Sequence, residues 1–254
     1  MAPPTVVSVG NLSDLEPEQL GELLGLLTHD LRNPLAALSS NVGYMGLVGK
    51  ALTPELQEAL FDLQLSVEAM ARLADSLETL GHELRGIEPA LASTVELKGL
   101  LAGLLPFVER AASSYGVKLQ VELGSLRPLR AVEPALARAL SNLLHNAVGL
   151  APPASTVRLS SYDEGDHVVL RVEDGGVPLP GDLLDLALSP AGQLALKSNP
   201  AGRYSRGLGL YVAARSASLA HASIRLATFD RADSERGGAS ARGNVFELVV
   251  GAAR

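Results

Sequence analysis

The chain has 254 residues, a formal net charge of −7 and 47% hydrophobic residues, so it is long enough for one large domain or two small ones. It has no cysteine, which excludes disulfides, thiolate metal sites and cysteine nucleophiles, and its scattered basic residues argue against nucleic-acid binding. No apolar run reaches the ~18 residues of a membrane span, and the N-terminus lacks a signal-peptide pattern. We therefore expect a cytoplasmic protein without membrane insertion.

Two leucine-rich seams predict a helical hairpin over residues 19–88, after a flexible tail over residues 1–18. Within each seam, over residues 20–45 and 56–84, apolar residues three and four positions apart fall on one helical stripe. Thr53 and Pro54 predict the N-cap and the first position of the second helix. Because one hairpin buries such seams poorly, we expect a homodimer in which two hairpins form a four-helix bundle.

Strands and helices alternate after the hairpin, which predicts an α/β domain over residues 89–254. Residues 175–205 are rich in Gly, Pro and Ser and show little periodicity, as is typical of a functional loop. The predicted elements, in chain order, are a strand at 94–97, a helix at 100–113, a strand at 116–123, a helix at 133–150, a hairpin of strands at 156–162 and 167–173, a helix at 207–219, and strands at 224–228 and 244–250.

One stretch of the first helix combines His29, Asp30 and Pro34. His29 lies two residues past the seam residue Leu27, so its ring is predicted to face solvent, where a neutral imidazole is a nucleophile. Asp30 can hold one ring nitrogen as a donor and leave the other free to attack. Pro34 cannot donate to the carbonyl four residues earlier and is expected to bend the helix. An exposed histidine on a kinked surface helix is the open alternative.

The stretch Thr28-His29-Asp30-Leu31-Arg32-Asn33-Pro34-Leu35 closely resembles the H box of sensor histidine kinases. The resemblance implies that His29 is the phosphoacceptor on the first helix of a dimeric hairpin. In that family, the acid beside the histidine and a Thr or Asn three residues further on can orient water for dephosphorylation of the partner regulator, which implies this role for Asp30 and Asn33. His82-Glu83-Leu84-Arg85 repeats the start of the box, but no hairpin partner follows it, so His29 is preferred.

The stretch Asn142-Leu143-Leu144-His145-Asn146-Ala147 resembles the N box of the same family. Its two carboxamides are four residues apart and share a helix face. The family uses that face for the magnesium and phosphates of ATP, so the resemblance implies nucleotide binding by Asn142 and Asn146, with Asn146 as the metal ligand. The family commonly has a lysine where this chain has Gly149, a departure from the pattern.

Two glycine-containing stretches resemble the glycine boxes of the family. In Val172-Glu173-Asp174-Gly175-Gly176-Val177-Pro178, the resemblance implies that Asp174 accepts a hydrogen bond from the adenine amino group and that Gly176 lines the site, while Pro178 replaces a glycine. Gly207-Leu208-Gly209-Leu210 opens a helix, where backbone N–H groups can approach a phosphate closely. The preceding loop corresponds to the ATP lid.

The lid departs from the family pattern at one position and offers two basic residues. Ser205 stands where the family has a glycine. Arg203 and Arg206 lie nearby and could supply the positive charge of the lysine missing at Gly149. We therefore include both arginines among the candidate nucleotide-binding residues, with Gly207, Leu208 and Gly209.

The resemblance covers residues 20–250 and implies a helical hairpin, a four-helix bundle in the dimer, followed by an α/β two-layer sandwich of the GHKL ATPase type. It implies an ATP- and Mg²⁺-dependent kinase that phosphorylates His29 and passes the phosphoryl group to an aspartate on the receiver domain of a response regulator. We find no attached sensor domain in the sequence, so sensory input is expected from a separate protein.

Two other classes of function stay open from the sequence. The departures at Gly149, Pro178 and Ser205 favour a histidine phosphotransferase or signalling scaffold with a degenerate ATP-binding domain. An ATPase of the gyrase or chaperone type is disfavoured, because those proteins lack a phosphoacceptor hairpin and because the N box has no acid where their water-activating glutamate would be.

Overall fold

The computed structural model describes residues 16–48, 53–86, 88–180, 187–189, 209–232 and 240–253, and the chain divides into two compact units between residues 87 and 88. The elements are α1 (Pro17–Val48) and α2 (Pro54–Leu84) in the first unit, and β1 (Ser93–Val95), α3 (Leu97–Ser114), β2 (Lys118–Leu123), β3 (Leu129–Ala131), α4 (Glu133–Leu150), β4 (Thr156–Glu164), β5 (His167–Asp174), α5 (Gly209–Leu219), β6 (Ala222–Ala232) and β7 (Ser240–Gly251) in the second.

Helices α1 and α2 pack against each other along their length. The start of α2 is as predicted, since the Thr53 side chain accepts a hydrogen bond from Leu56 N at 3.4 Å and Pro54 occupies the first turn. The helices approach each other closely at Gly21, where a Cβ would lie 2.8 Å from the carbonyl oxygen of Gly81. Helix α1 continues without a break through Pro34.

The predicted seam is only half buried within one chain. Leu35, Val67 and Ala74 form a small core in which each is at most 6% exposed. Other large seam residues remain between 38% and 54% exposed: Leu31, Leu38, Met45, Leu56, Leu63, Met70 and Leu73. A row of exposed apolar side chains of this size is typical of an interaction surface.

The second unit is a two-layer α/β sandwich, in which helices α4 and α5 pack against one another over one face of the sheet and α3 packs beside α4. The five-stranded sheet has the order β2-β4-β5-β7-β6; β2 runs parallel to β4 and the other neighbours are antiparallel. Leu140 and Leu144 of α4 and Leu170 of β5 have no exposed surface. Each buried leucine contributes roughly 1.5–3 kcal/mol relative to an exposed one.

The opposite face of the sheet carries charged residues. Arg171 pairs with Glu173 at 2.6 Å and with Glu247 at 3.4 Å, and Tyr162 donates to Glu247 at 2.8 Å. Arg225 pairs with Glu164 across the sheet. Alternation along the strands therefore directs apolar side chains towards the helices and polar ones away from them.

Several predicted boundaries were wrong. The strand predicted at 94–97 ends at Val95, because Leu97 already begins α3 and is buried in the core. The three-residue strand β3 was not predicted, and it pairs with β1 in a separate sheet. The β4–β5 hairpin is longer than predicted and turns at Gly165, whose φ of 59° suits glycine. No helix among the described residues is long and apolar enough to cross a membrane.

Candidate functional site

Asp174 is the last residue of β5 and lies directly opposite Asn244 of β7. Its side chain is 1% exposed, and Oδ1 accepts hydrogen bonds from Gly176 N at 2.7 Å and from Asn244 Nδ2 at 3.1 Å. Oδ2 is buried and has no hydrogen-bond donor among the described residues. Burial raises the pKa of Asp174 to about 6. Because a buried carboxylate oxygen is costly to leave unsatisfied, this atom marks a place for a donor from a ligand.

Asn244 is a functional candidate that sequence reasoning missed. It has no exposed surface, accepts from Leu179 N at 2.7 Å, and donates to both Asp174 and the carbonyl of Val177. Asn244 therefore ties the segment after Asp174 to β7. Pro178 fits this arrangement, because the donating N–H belongs to Leu179 and a proline has none to offer.

The neighbouring Gly243 was the one signal in the sequence that could have drawn attention to this strand. A Cβ at Gly243 would overlap the backbone carbonyl of Asp174 and crowd the ring of Phe229. Glycine inside a strand often marks such a close approach. The contact joins residues far apart in the chain, so no local pattern identifies its partner.

Two predicted glycines approach helix α4 closely. A Cβ on Gly209, at the start of α5, would lie 2.7 Å from Asn146 Oδ1. A Cβ on Gly176 would lie 2.9 Å from the carbonyl oxygen of Leu150. The fold thus brings the end of β5, the end of α4 and the start of α5 together, with glycine where a side chain would fill the space.

The two N-box carboxamides differ in their surroundings. Asn142 Nδ2 donates to the carbonyl of Arg138 at 2.9 Å, within its own helix. Asn146 instead faces Gly209. Gly149 is exposed and a Cβ there would meet nothing within 4 Å, so the backbone has room for the lysine common in the family.

The remaining predicted nucleotide residues lie outside the described residues: Arg203, Arg206, Gly207 and Leu208. The same holds for Ser205, the departure from the family pattern in the lid. Within the described ranges, no three His, Cys, Asp or Glu side chains cluster to hold a metal ion. The only metal ligand predicted from the sequence is the carboxamide of Asn146, an oxygen ligand of the kind Mg²⁺ accepts. That assignment stays a prediction.

His29 and Asp30 are strongly exposed on α1, with 74% and 80% of their side-chain surfaces accessible. His29 Nδ1 lies 3.3 Å from Asp30 Oδ1. In the tautomer with the proton on Nδ1, the ring donates to Asp30 and Nε2 keeps its lone pair for attack. Asn33 is exposed one turn further along the helix. The structure thus gives His29 the solvent-facing position expected from the seam.

Residues 131–252 match a known domain family, described as histidine kinase-, DNA gyrase B- and HSP90-like ATPase. The match includes Asn142, Asn146, Asp174 and Asn244 and the strands β4 to β7. This part of the chain is therefore similar to the ATPase domains of that family, and its two-layer fold agrees with the match.

The sequence is also similar to those of sensor kinases. It is 29% identical to the sensor protein CreC of Escherichia coli over 79% of this chain, and 26% identical to the sensor protein CopS of Pseudomonas syringae pv. tomato over 63% of it. The aligned regions make up 41% and 32% of those relatives, so this chain corresponds to less than half of each.

Solved histidine kinases share the fold. The Acinetobacter baumannii kinase AdeS aligns with a TM-score of 0.55 over 89% of this chain and 98% of that one, at 18% identity. Full-length ShkA, solved in complex with AMPPNP, aligns with a TM-score of 0.59 over 92% of this chain and 46% of that one, at 23% identity. With the similarity to CreC and CopS, these matches confirm the resemblance to sensor histidine kinases.

Proposed function

We propose that this protein is a two-component histidine kinase, which phosphorylates His29 from ATP and transfers the phosphoryl group to an aspartate on a response regulator. The observation that carries the proposal is the buried Asp174 Oδ2, which has no hydrogen-bond donor among the described residues and lies in the region that matches the ATPase family. The exposed His29–Asp30 pair on α1 supplies a nucleophile.

The residues around Asp174 fit an adenine nucleotide. An adenine amino group is a neutral N–H donor and would satisfy Oδ2 while Oδ1 keeps its two protein donors. Gly176 and Gly209 leave the space that side chains would fill. Asn146 would ligate a Mg²⁺ ion, which neutralises charge on the phosphates of bound ATP. Arg203 and Arg206 are proposed to contact the phosphates from the lid, together with Gly207 and Leu208, and Asn142 to contribute from α4.

The chemistry at His29 follows from its hydrogen bond. Nε2 attacks the γ-phosphorus of ATP, a bond from nitrogen to phosphorus forms, and the bond to the bridging oxygen breaks to release ADP. The Asp30 carboxylate, which accepts a hydrogen bond from Nδ1–H, stabilises the positive charge that develops on the ring. In the second step the receiver aspartate attacks the phosphorus and the N–P bond breaks, which restores neutral His29.

The exposed seam supports dimerisation through residues 19–88. Two hairpins would cover the leucines and methionines that one chain leaves exposed, as a four-helix bundle does. We propose that the chain acts as such a homodimer, that residues 89–254 form its catalytic unit, and that a separate protein supplies its sensory input.

Two measurements test the proposal on the whole chain. Calorimetric titration with MgAMPPNP, a non-hydrolysable analogue, measures nucleotide binding, and incubation with MgATP measures phosphorylation of histidine, detected as an acid-labile and base-stable modification. We expect binding and phosphorylation in wild type and in His82→Gln, and binding without phosphorylation in His29→Gln. Equal phosphorylation of His29→Gln would overturn the assignment of His29.

The departures at Gly149 and Pro178 favour a second candidate, a histidine phosphotransferase or scaffold that does not bind ATP. This candidate predicts no nucleotide binding at millimolar concentration, together with phosphorylation of His29 by a phosphorylated receiver domain. Nucleotide binding that disappears in Asp174→Asn would reject it.

A further inference from the structure

A cleft runs beside His29 within the hairpin unit, and it has a volume of about 460 Å³. Seven residues line it: Gly25, Thr28, His29, Arg32, Glu78, His82 and Arg85. Those from α1 and those from α2 recur three and four positions apart, so each set forms one stripe along its helix and the two stripes face each other. The cleft therefore belongs to the pair of helices and to no loop.

The charges in the cleft are distributed unevenly. Glu78 is paired with Arg32, whose two terminal nitrogens bind its two carboxylate oxygens at 3.0 and 2.9 Å. Arg32 also binds Asp75 at 2.6 Å. This network raises the pKa of Arg32, so its guanidinium stays charged and remains hydrogen-bonded to Glu78 and Asp75. It closes one end of the cleft with a bidentate pair of well-defined geometry.

Arg85 lies at the other end and has no carboxylate partner among the described residues. Its Nε donates to the carbonyl of Gly81 at 3.2 Å, which orients the side chain back along α2. Both terminal nitrogens lie 3.9 Å from the Cβ position of Gly25, so the guanidinium rests over a glycine. A Cβ at residue 25 would be in ordinary van der Waals contact with the guanidinium, so Arg85 lies directly against this part of α1.

The position of Gly25 relates Arg85 to the nucleophile. Gly25 precedes His29 by four residues, one helical turn or about 5.4 Å along the same face. A guanidinium over Gly25 is thus within reach of a group attached to the His29 ring. His82 lines the cleft between Glu78 and Arg85 on the facing helix.

We propose that this cleft is a phosphoryl-binding site in which Arg85 holds the phosphoryl group carried by His29, with the Arg32–Glu78 pair as its fixed opposite wall. This inference rests on the proposed function, because it requires His29 to be phosphorylated. Arg85 acts on the attached group by charge and hydrogen bonding and takes no part in forming the N–P bond. An arginine fork matches a phosphoryl group, and its partners here leave both terminal nitrogens available.

The test labels His29 without ATP. Phosphoramidate, a small phosphoryl donor, transfers its phosphoryl group to histidine and releases ammonia, and ³¹P NMR then follows the pH titration of the attached group. The whole chain is used with His82→Gln as background, so that one of the two cleft histidines is labelled. Arg85→Gln should raise the titration midpoint of the phosphoryl group by about half a pH unit, because a nearby cation favours the dianion.

Two further variants test whether the change in midpoint comes from the charge of Arg85. Arg85→Lys retains the charge and should restore most of the wild-type midpoint, which a merely structural role of Arg85 would not do. Arg130→Gln removes an exposed cation from the other unit and should leave the midpoint unchanged. Helix content measured by circular dichroism shows whether each hairpin is folded. An identical midpoint with and without Arg85→Gln, in folded protein of the His82→Gln background, would overturn the proposal.

Failure of the inference is separable from failure of the proposed function. Phosphorylation of His29 from ATP, with a midpoint insensitive to Arg85, would retain the kinase and reject the cleft. A midpoint that depends on Arg85 in a protein that takes no phosphoryl group from ATP would retain the cleft and favour the phosphotransferase.

Discussion

His29 and Asp174 carry the chemistry proposed for the two units, and their surroundings are opposite. His29 exposes 74% of its side chain on a helix surface, whereas Asp174 exposes 1% at the end of a central strand. A group that must meet a nucleotide and then a receiver domain needs access from solvent. A group that must recognise a small ligand by one hydrogen bond gains strength and selectivity from burial.

The two units also differ in how complete their cores are. The α/β unit encloses a large core in which α4 and the central strands have no exposed apolar side chains. Among the described side chains of the hairpin, Leu35, Val67 and Ala74 form a small buried cluster, Val42 is also buried, and a row of leucines and methionines is exposed. The described part of the α/β unit thus has an extensive core of its own, while the described part of the hairpin has only a small one.

Leu31→Asp tests whether the hairpin needs a second copy. A carboxylate in the seam would be buried without a partner in the dimer, so we expect the association of the two chains to weaken by a few kcal/mol, more than a hundredfold in affinity. Light scattering at micromolar concentration should report a dimer for wild type and a monomer for the variant.

Leu126→Asp is the matched control for this substitution. Leu126 is 46% exposed in the α/β unit, comparable with the 38% of Leu31. The control should remain dimeric. Dimers of equal stability in both variants would contradict the proposed interface.

Asp174→Asn tests recognition at the buried site. The substitution keeps an oxygen for Gly176 and Asn244 but puts an amide in place of the unsatisfied Oδ2, where it repels an adenine amino group. We expect a loss of roughly 1.5–3 kcal/mol, ten- to more than a hundredfold in affinity for MgAMPPNP, measured by calorimetry. Asp166→Asn makes the same chemical change in the exposed β4–β5 turn and should bind like wild type.

Asp174→Asn should also stabilise the folded protein in the absence of nucleotide. Because the folded pKa of Asp174 is about 6 against an ordinary value of 3.8, the stability linked to its protonation is fully present below 3.8 and is lost as pH rises through 6. At pH 8, Asp174→Asn should therefore be more stable than wild type by on the order of 2 kcal/mol. Thermal unfolding should show this advantage shrinking between pH 6 and pH 4. A difference in stability between Asp174→Asn and wild type that does not change with pH would contradict the proposal that burying the Asp174 charge costs stability.

The contrast between the units also explains what the sequence could predict. Helix α4 was predicted with its observed bounds, because Pro134 suits its first turn and its apolar residues recur at helical spacing. His29 and Asp174 could be proposed as site residues from the sequence because their motifs are contiguous. Strand β3 was missed because three residues carry no periodicity, and it forms only by pairing with β1.

Contacts between distant residues account for the rest. Asn244 reads as an ordinary residue of a strand, yet it binds Asp174 and the segment 177–179, some seventy positions away in the sequence. Arg85 and His29 likewise line one cleft only because of the way in which the two helices pack. Such roles follow from the fold, and a single sequence does not indicate them.

Asn33→Ala tests a function of the exposed site that the buried one does not share. Asp30 and Asn33 are both exposed and three residues apart on α1, so they share a face on which a water can be oriented. We expect dephosphorylation of the receiver domain to fall severalfold, roughly the effect of one lost hydrogen bond, with phosphorylation of His29 retained. The two reactions are measured separately. An equal loss of both would indicate damage to the helix before Pro34 instead.

Gly149→Lys tests whether the missing lysine weakens the nucleotide site. Gly149 lies three residues after Asn146 on α4, is exposed, and has room for a Cβ. A lysine there would add a cation near the predicted phosphate position, and an exposed cation contributes roughly 0.2–1 kcal/mol, which predicts up to about a fivefold gain in affinity for MgAMPPNP.

Gly149→Ala separates this gain from helix stabilisation, since removing a helical glycine alone contributes about 0.5–1 kcal/mol to folding. Equal affinities of the lysine and alanine variants would show that the charge is already supplied, and would direct the next substitutions to Arg203 and Arg206. A gain confined to the lysine variant that is abolished by Asp174→Asn would locate the phosphates beside α4.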